Sequence, residues 1–239
     1  MRLLFIRHAD PDYSIDSLTA KGFEEAELLA EKLKNEKIDY AYVSPLGRAQ
    51  KTAEIGLKYK TLQPQTKECL TEFGVPFTTE EGETLWIWDW LPTYYNANPT
   101  LFDTEKWLTV PCIANSAVPA AYKRVTEEFD RILAAHGYVR NGLIYNVERS
   151  NTDTLAFFCH FGIETVLLSH LIGVAPPALL HGFCALPSSV TTVYTEERRQ
   201  GYAHFRCSAY GSTEHLYIAG KEPSFAARFC EIFDSPDRH

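Results

Sequence analysis

The chain opens Met1-Arg2-Leu3-Leu4-Phe5-Ile6-Arg7-His8, an apolar run that stops at an adjacent arginine and histidine. A short run with no polar alternation is what a strand buried on both faces requires, and such strands belong to parallel sheets covered by helices on each side. Asp10-Pro11-Asp12 turns the chain polar at once. In open α/β sheets ligands gather just beyond the carboxyl ends of strands, so Arg7 and His8 are placed to meet an anion. Taken alone, the pair fits equally well a strand terminus with a solvated arginine and a packed histidine.

The segments that follow alternate strand and helix. Leu18-Thr19-Ala20-Lys21-Gly22 leads into a stretch where Ala26, Leu29, Ala30 and Leu33 recur at helical spacing, with Thr19 as a plausible N-cap. Residues 39–43 read as a second strand and 46–57 as a second helix, the opening of an α/β sheet. Residues 118–135 are helical in period, 154–159 form a buried strand, 163–172 the next helix, and 189–195 and 202–208 later strands. His136 with Gly137 marks a helix end. Between these parts, residues 74–118 hold all four tryptophans, Trp86, Trp88, Trp90 and Trp107, with Tyr94, Tyr95 and the acidic Glu80-Glu81-Gly82-Glu83. That composition predicts an irregular or short-helical insertion, a candidate lid on a single domain spanning 1–239.

A formal charge of -8, from 31 acidic residues against 23 Lys and Arg, argues against nucleic acid as a partner, since the basic residues are also scattered. A small phosphorylated metabolite needs only a local cluster of cations and stays allowed. Six cysteines without a Cys-x-x-Cys pair, no leader pattern and no membrane-length apolar stretch fit a cytoplasmic protein with no membrane partner; a homodimer is left open.

Further segments raise the value of Arg7 and His8. Ser44-Pro45-Leu46-Gly47-Arg48-Ala49-Gln50-Lys51-Thr52-Ala53 puts Arg48 in the first turn of a helix, where free N–H groups already favour an anion. Cys159-His160-Phe161-Gly162 repeats the logic of the first strand, with His160 at its end. The combination resembles the histidine phosphatase superfamily, in the branch with the cofactor-dependent phosphoglycerate mutases and related phosphatases. That family opens with a strand and Arg-His-Gly, continues Leu-Thr-x-x-Gly-x-x-Gln-Ala, then Ser-x-Leu-x-Arg-Ala-x-x-Thr-Ala, and later Ser-His-Gly. The chain has Arg7-His8-Ala9, Leu18 to Ala26, Ser44 to Ala53 and Cys159-His160-Phe161 in the same order.

The resemblance implies a three-layer α/β/α sandwich with a mostly parallel central sheet, phosphoglycerate mutase-like. It further implies that His8 is the nucleophile, that Arg7, Arg48 and His160 hold the transferring phosphoryl group, and that Glu72, in Leu70-Thr71-Glu72, donates the proton to the leaving oxygen. Those side chains suit the chemistry: a neutral imidazole attacks phosphorus and fixed cations offset charge on its oxygens. Glu83 is the alternative acid, and Asp10, Ser44 and Phe161 are candidate substrate contacts. No cofactor and no metal ion is implied; a metal set of His8, Asp10, His160 and Asp153 would force Arg7 and Arg48 beside a divalent ion. Ala9 and Phe161 replace smaller residues of the family pattern. No Lys or Arg lies between Lys67 and Lys106, where the mutases carry several. Phosphatase chemistry on an ester with an apolar, ring-bearing or weakly charged leaving group is therefore preferred to phosphoglycerate mutase-type transfer, with a non-catalytic phosphate-binding protein as the third reading.

Overall fold

The opening run folds as strand β1 (Arg2–Arg7), and alternate side chains leave it for opposite hydrophobic cores. The computed structural model describes residues 1–225 and 228–236. The other strands of the central sheet are β2 (Tyr40–Val43), β3 (Gln65–Thr66), β4 (Tyr138–Asn141), β5 (Ile144–Val147), β6 (Thr154–Cys159), β7 (Val190–Arg199) and β8 (Tyr202–Ser212). Their order is β3-β2-β6-β1-β7-β8-β5-β4. The half from β3 to β1 is parallel, and antiparallel pairs extend it from β7 to β4.

Helices cover both faces. On one side α1 (Ala20–Lys34) and α2 (Gly47–Gly56) bring Leu29, Leu33, Ala49 and Ala53 onto Leu4, Ile6, Ala156 and Phe158. On the other, α3 (Val118–Ala135) and α4 (Phe161–Ile172) bring Phe129, Ile132, Ile163 and Leu167 onto Leu3, Phe5, Leu155 and Phe157. Phe5 and Phe157 stack with centroids 5.2 Å apart, and Phe129 meets Phe157 edge-on at 5.4 Å. Burying such rings contributes roughly 2–3 kcal/mol each, which is why β1 and β6 are apolar at every inner position. The result is the three-layer α/β/α sandwich that the sequence implies. Thr19 caps α1 as expected, its side chain accepting from the Gly22 N–H.

Parallel register is what assembles one end of the sheet. Arg7 pairs with Cys159, and the His8 N–H bonds the Cys159 carbonyl at 2.9 Å, so His8 and His160 leave neighbouring strands at the same level. The Ser44 N–H bonds the Phe158 carbonyl, bringing the end of β2 beside them.

The 74–118 segment is built of short pieces: a hairpin of Pro76–Thr78 with Thr84–Trp86, helices Pro92–Ala97 and Pro111–Ala114, and single turns between. Trp90 stacks on Phe77 at 4.4 Å and touches Tyr94 at 4.6 Å, and Trp107 is buried. Trp88 leans instead toward α4, its ring edge-on to Phe161 at 6.5 Å. Among the described residues no helix is long and apolar enough to cross a membrane.

Candidate active site

Four strand and helix ends converge on His8. Its Nδ1 lies 2.8 Å from the Ala9 carbonyl oxygen, which can only accept, so Nδ1 carries the proton and Nε2 keeps its lone pair. Burial, and then the Arg7 and Arg48 guanidinium groups, hold its pKa well below the ordinary histidine range. The ring is therefore neutral. Ala9 needs none of the freedom of the family's glycine: its backbone is not left-handed, and its methyl group packs with Leu18 and Ala26.

His160 is fully buried, with its ring centroid 5.0 Å from that of His8. Ser44 Oγ accepts the Leu46 N–H and lies 2.8 Å from His160 Nε2, a hydrogen bond that holds the ring in place. Among the described residues Nδ1 has no partner. Arg7 donates to the Ala185 carbonyl, and its guanidinium sits 5.8 Å from the Phe161 ring centre. Arg48 is held by Asp16, Nη1 to Oδ1 at 2.6 Å, while the other Asp16 oxygen accepts the Gly47 N–H at 2.6 Å. The Nε atoms of both arginines are buried without partners. An unmet buried donor costs about 1–3 kcal/mol, so two guanidinium N–H donors and an unpartnered ring nitrogen around one neutral imidazole form a site suited to an anion.

Glu72 enters from the turn after Glu68–Leu70. Its Oε1 accepts the Phe73 N–H at 2.8 Å and the Ile163 N–H at 3.0 Å, and Oε2 takes part in neither bond. Burial raises its pKa against the opposing pull of those N–H groups and of Arg7. Gly162 makes this approach possible, because a Cβ there would stand 2.7 Å from both Glu72 Oε1 and the Trp88 ring.

The remaining candidates lie elsewhere or are already engaged. Asp10 accepts from the Thr19 hydroxyl at 2.6 Å and from the Ser224 hydroxyl, tying α1 to the C-terminal segment. Ser44 is spent on His160. Phe161 walls the site, packed between Arg7, Trp88 and Phe229. Glu83 is exposed in the turn of the 76–86 hairpin and lines a cavity with Glu80 and Glu81 to which none of Arg7, His8, Arg48 or His160 contributes. Asp153 precedes β6 and so lies at the opposite end of that strand from His160. Among the described residues no group of three or more His, Cys, Asp or Glu side chains is placed to hold a metal ion.

Two contributors escape a reading of the sequence. Asp16 sits in the loop before α1 with a left-handed φ of 45°, a conformation Asp tolerates, and no local pattern announces its reach to Arg48. Glu164 lies in the first turn of α4, fully buried, with neither oxygen meeting full hydrogen-bond geometry. Burial pushes its carboxyl up to about 8, lessened by the Thr191 hydroxyl and by Arg7. Its signal is the single acid in an otherwise apolar helix start.

Sequence comparison places the chain at 27% identity over 182 residues with a Hydrogenobacter thermophilus protein provisionally named phosphoserine phosphatase 2, covering 72% of this chain and 79% of that one. Among solved structures it is similar to a phosphoserine phosphatase mutant from Entamoeba histolytica in complex with phosphoserine (TM-score 0.59, 21% identity, 90% of this chain and 98% of that one). It is also similar to the mycobacterial glucosyl-3-phosphoglycerate phosphatase complexed with VO3 (TM-score 0.53, 16% identity, 89% and 99%). These similarities establish the fold. The family model for the histidine phosphatase superfamily, branch 1, matches residues 3–207, a span that runs from β1 into β8 and includes every residue gathered around His8, and the chain belongs to that superfamily.

Proposed function

We propose that this chain hydrolyses small phosphomonoesters through a phosphohistidine on His8, without a metal ion. The observation that carries the reading is the state of His8: a neutral ring with its proton fixed on Nδ1, its Nε2 lone pair retained, beside the buried Nε–H donors of Arg7 and Arg48 and the His160 Nδ1, which have no partner among the described residues. In the first step Nε2 attacks phosphorus, the bond from phosphorus to the ester oxygen breaks, and Glu72 gives its proton to that oxygen. In the second, the Glu72 carboxylate takes a proton from water, the water oxygen attacks phosphorus, and the P–N bond breaks to release inorganic phosphate and restore both residues. Arg7, Arg48 and His160 offset the charge on the phosphoryl oxygens throughout. Residues 1–239 act in this reading as one catalytic unit, with 74–118 as its lid through the contact of Trp88 with Phe161. The phosphatase names of the similar proteins support the same direction.

The test is a panel of phosphomonoesters in EDTA, with isomerisation of 3-phosphoglycerate measured alongside. Expected are phosphate release, a burst of alcohol, an acid-labile phosphoryl group trapped on His8, and loss of all three in His8→Ala. Efficient isomerisation with little phosphate release would assign a mutase instead. Activity that EDTA abolishes and His8→Ala retains would overturn the mechanism.

A further inference from the structure

Lys67, Arg131 and Arg149 come from three separate elements, the end of β3, the last turns of α3 and the β5–β6 loop, and all line one cavity of about 590 Å³. No residue gathered around His8 lines it. Several exposed lysines elsewhere are matched by acids, as in Lys51 with Glu54 and Lys123 with Glu127. In this cavity the only acid is Glu128, and among the described residues none of the three cations forms an ion pair within 4.0 Å. Arg149 reaches only the Ala135 carbonyl, at 3.4 Å, and the Lys67 ammonium stands 5.6 Å from the Tyr42 ring centre. A surplus of unpaired positive charge is unexpected in a chain of formal charge -8.

The cavity is also aromatic. Tyr42 and His136 are buried and joined, Oη to Nε2 at 2.7 Å, and Tyr40 meets His136 edge-on at 4.5 Å with part of its ring in solvent. The Tyr42–His136 pair fixes a rigid, uncharged wall, so the positive charge rests on Lys and Arg. Convergent cations over a preformed aromatic wall, at a volume that holds a drug-sized molecule, are the elements of a ligand site rather than of a solvated helix face.

We infer that this cavity binds a small anion carrying an aromatic ring, held by Lys67, Arg131 and Arg149 with the ring against the exposed part of Tyr40, at a second site independent of His8. Calorimetric titration with a naphthalene disulfonate, a rigid aromatic dianion that is no phosphate ester, tests it. The expected result is stoichiometric binding at low salt, weakened about tenfold or more in a Lys67→Ala/Arg131→Ala double variant, which removes two of the three cations, and unchanged in Arg7→Ala. A propane disulfonate, which keeps the charges and lacks the ring, is expected to bind about tenfold more weakly. The melting temperature of the double variant checks that it folds, and Lys67→Gln/Arg131→Gln replaces it if it does not. Equal affinity in wild type and the cavity variant, or affinity lost in Arg7→Ala, would overturn the inference. A wild-type dimer that Arg131→Ala dissociates would also overturn it, by assigning the cavity to a second copy of the chain.

Discussion

Glu164 is the side chain whose surroundings conflict most with its charge, and the conflict has a measurable sign. Its folded-state carboxyl is raised from 4.5 to about 8, chiefly by burial, so between those values the folded chain keeps a proton that the unfolded chain has released. Stability therefore falls as pH rises from about 4.5 to about 8 and changes no further above that, by an amount on the order of a few kcal/mol. Glu164→Gln has no proton to lose. Its melting temperature is expected to exceed that of wild type at pH 8 and to approach it at pH 5; an equal difference at both values would show that the carboxyl is not buried uncharged. His8 and Glu72 set the pH profile of turnover in the proposed reaction. The nucleophile must be neutral and its pKa is depressed, so activity persists below the ordinary histidine range and is lost only as pH falls through that lowered value. The acid must be protonated and its pKa is raised, so activity declines as pH climbs through Glu72's elevated value. Glu72→Gln is expected to slow the first step, read as the pre-steady-state burst of alcohol, about 10²–10⁴-fold on an alkyl phosphate and far less on p-nitrophenyl phosphate, whose leaving oxygen needs no proton. Equal losses on both esters would remove Glu72 from the role of acid.

At the scale of elements, the start of α4 controls the site. Gly162 faces the Glu72 carboxylate and the Trp88 ring at distances no Cβ can share, and the helix N–H of Ile163 holds Glu72 Oε1. Gly162→Ala should therefore displace the acid or the indole. We expect a fall in kcat of about tenfold or more with little change in melting temperature, because alanine favours the helix itself; unchanged kcat would mean that the Glu72 and Trp88 positions are not needed. Elements were also where the sequence was most legible. β1, α1, α3 and β6 follow from strictly local patterns, a run of apolar residues or a 3.6 period, and Arg7, His8, Arg48 and His160 are reached because each stands next to the end of such an element. The β4–β5 hairpin carried the Asn141-Gly142 turn signal, with Gly142 at φ 61°, yet its strands are only four residues each and too short for periodicity to speak. Asp16 could not be read locally, since it acts on a residue 32 positions away, and the lone acid in the apolar start of α4 marks Glu164 without showing what surrounds it.

The whole molecule decides what can leave from phosphorus. In the proposed reaction the leaving oxygen must lie within reach of Glu72, and the insertion sets two indoles beside that turn: Trp86 and Trp88 lie about 4 Å from the Cβ position of Gly74, and the two rings run nearly parallel with centroids 6.1 Å apart. No Lys or Arg occurs between residues 67 and 106 to receive a carboxylate on the leaving group, while Glu80, Glu81 and Glu83 crowd the hairpin turn of the same insertion. From the opposite side the C-terminal segment brings Phe229 onto Phe161 at 5.5 Å, and its Arg228 is occupied by the Pro223 carbonyl and the Phe225 ring. Apolar surface that the insertion supplies with no cation favours a neutral flat alcohol and disfavours one bearing a carboxylate, by the cost of desolvating an unpaired charge. Aryl and arylalkyl phosphates should accordingly show kcat/KM about tenfold or more above phosphoserine and 3-phosphoglycerate. Trp88→Ala should erase most of that margin, chiefly through KM on the aryl ester, and leave the slow phosphoserine rate nearly as it was. Should phosphoserine prove the better substrate, a cation must reach the leaving group from outside the insertion, and Arg228→Ala would then collapse the phosphoserine rate alone.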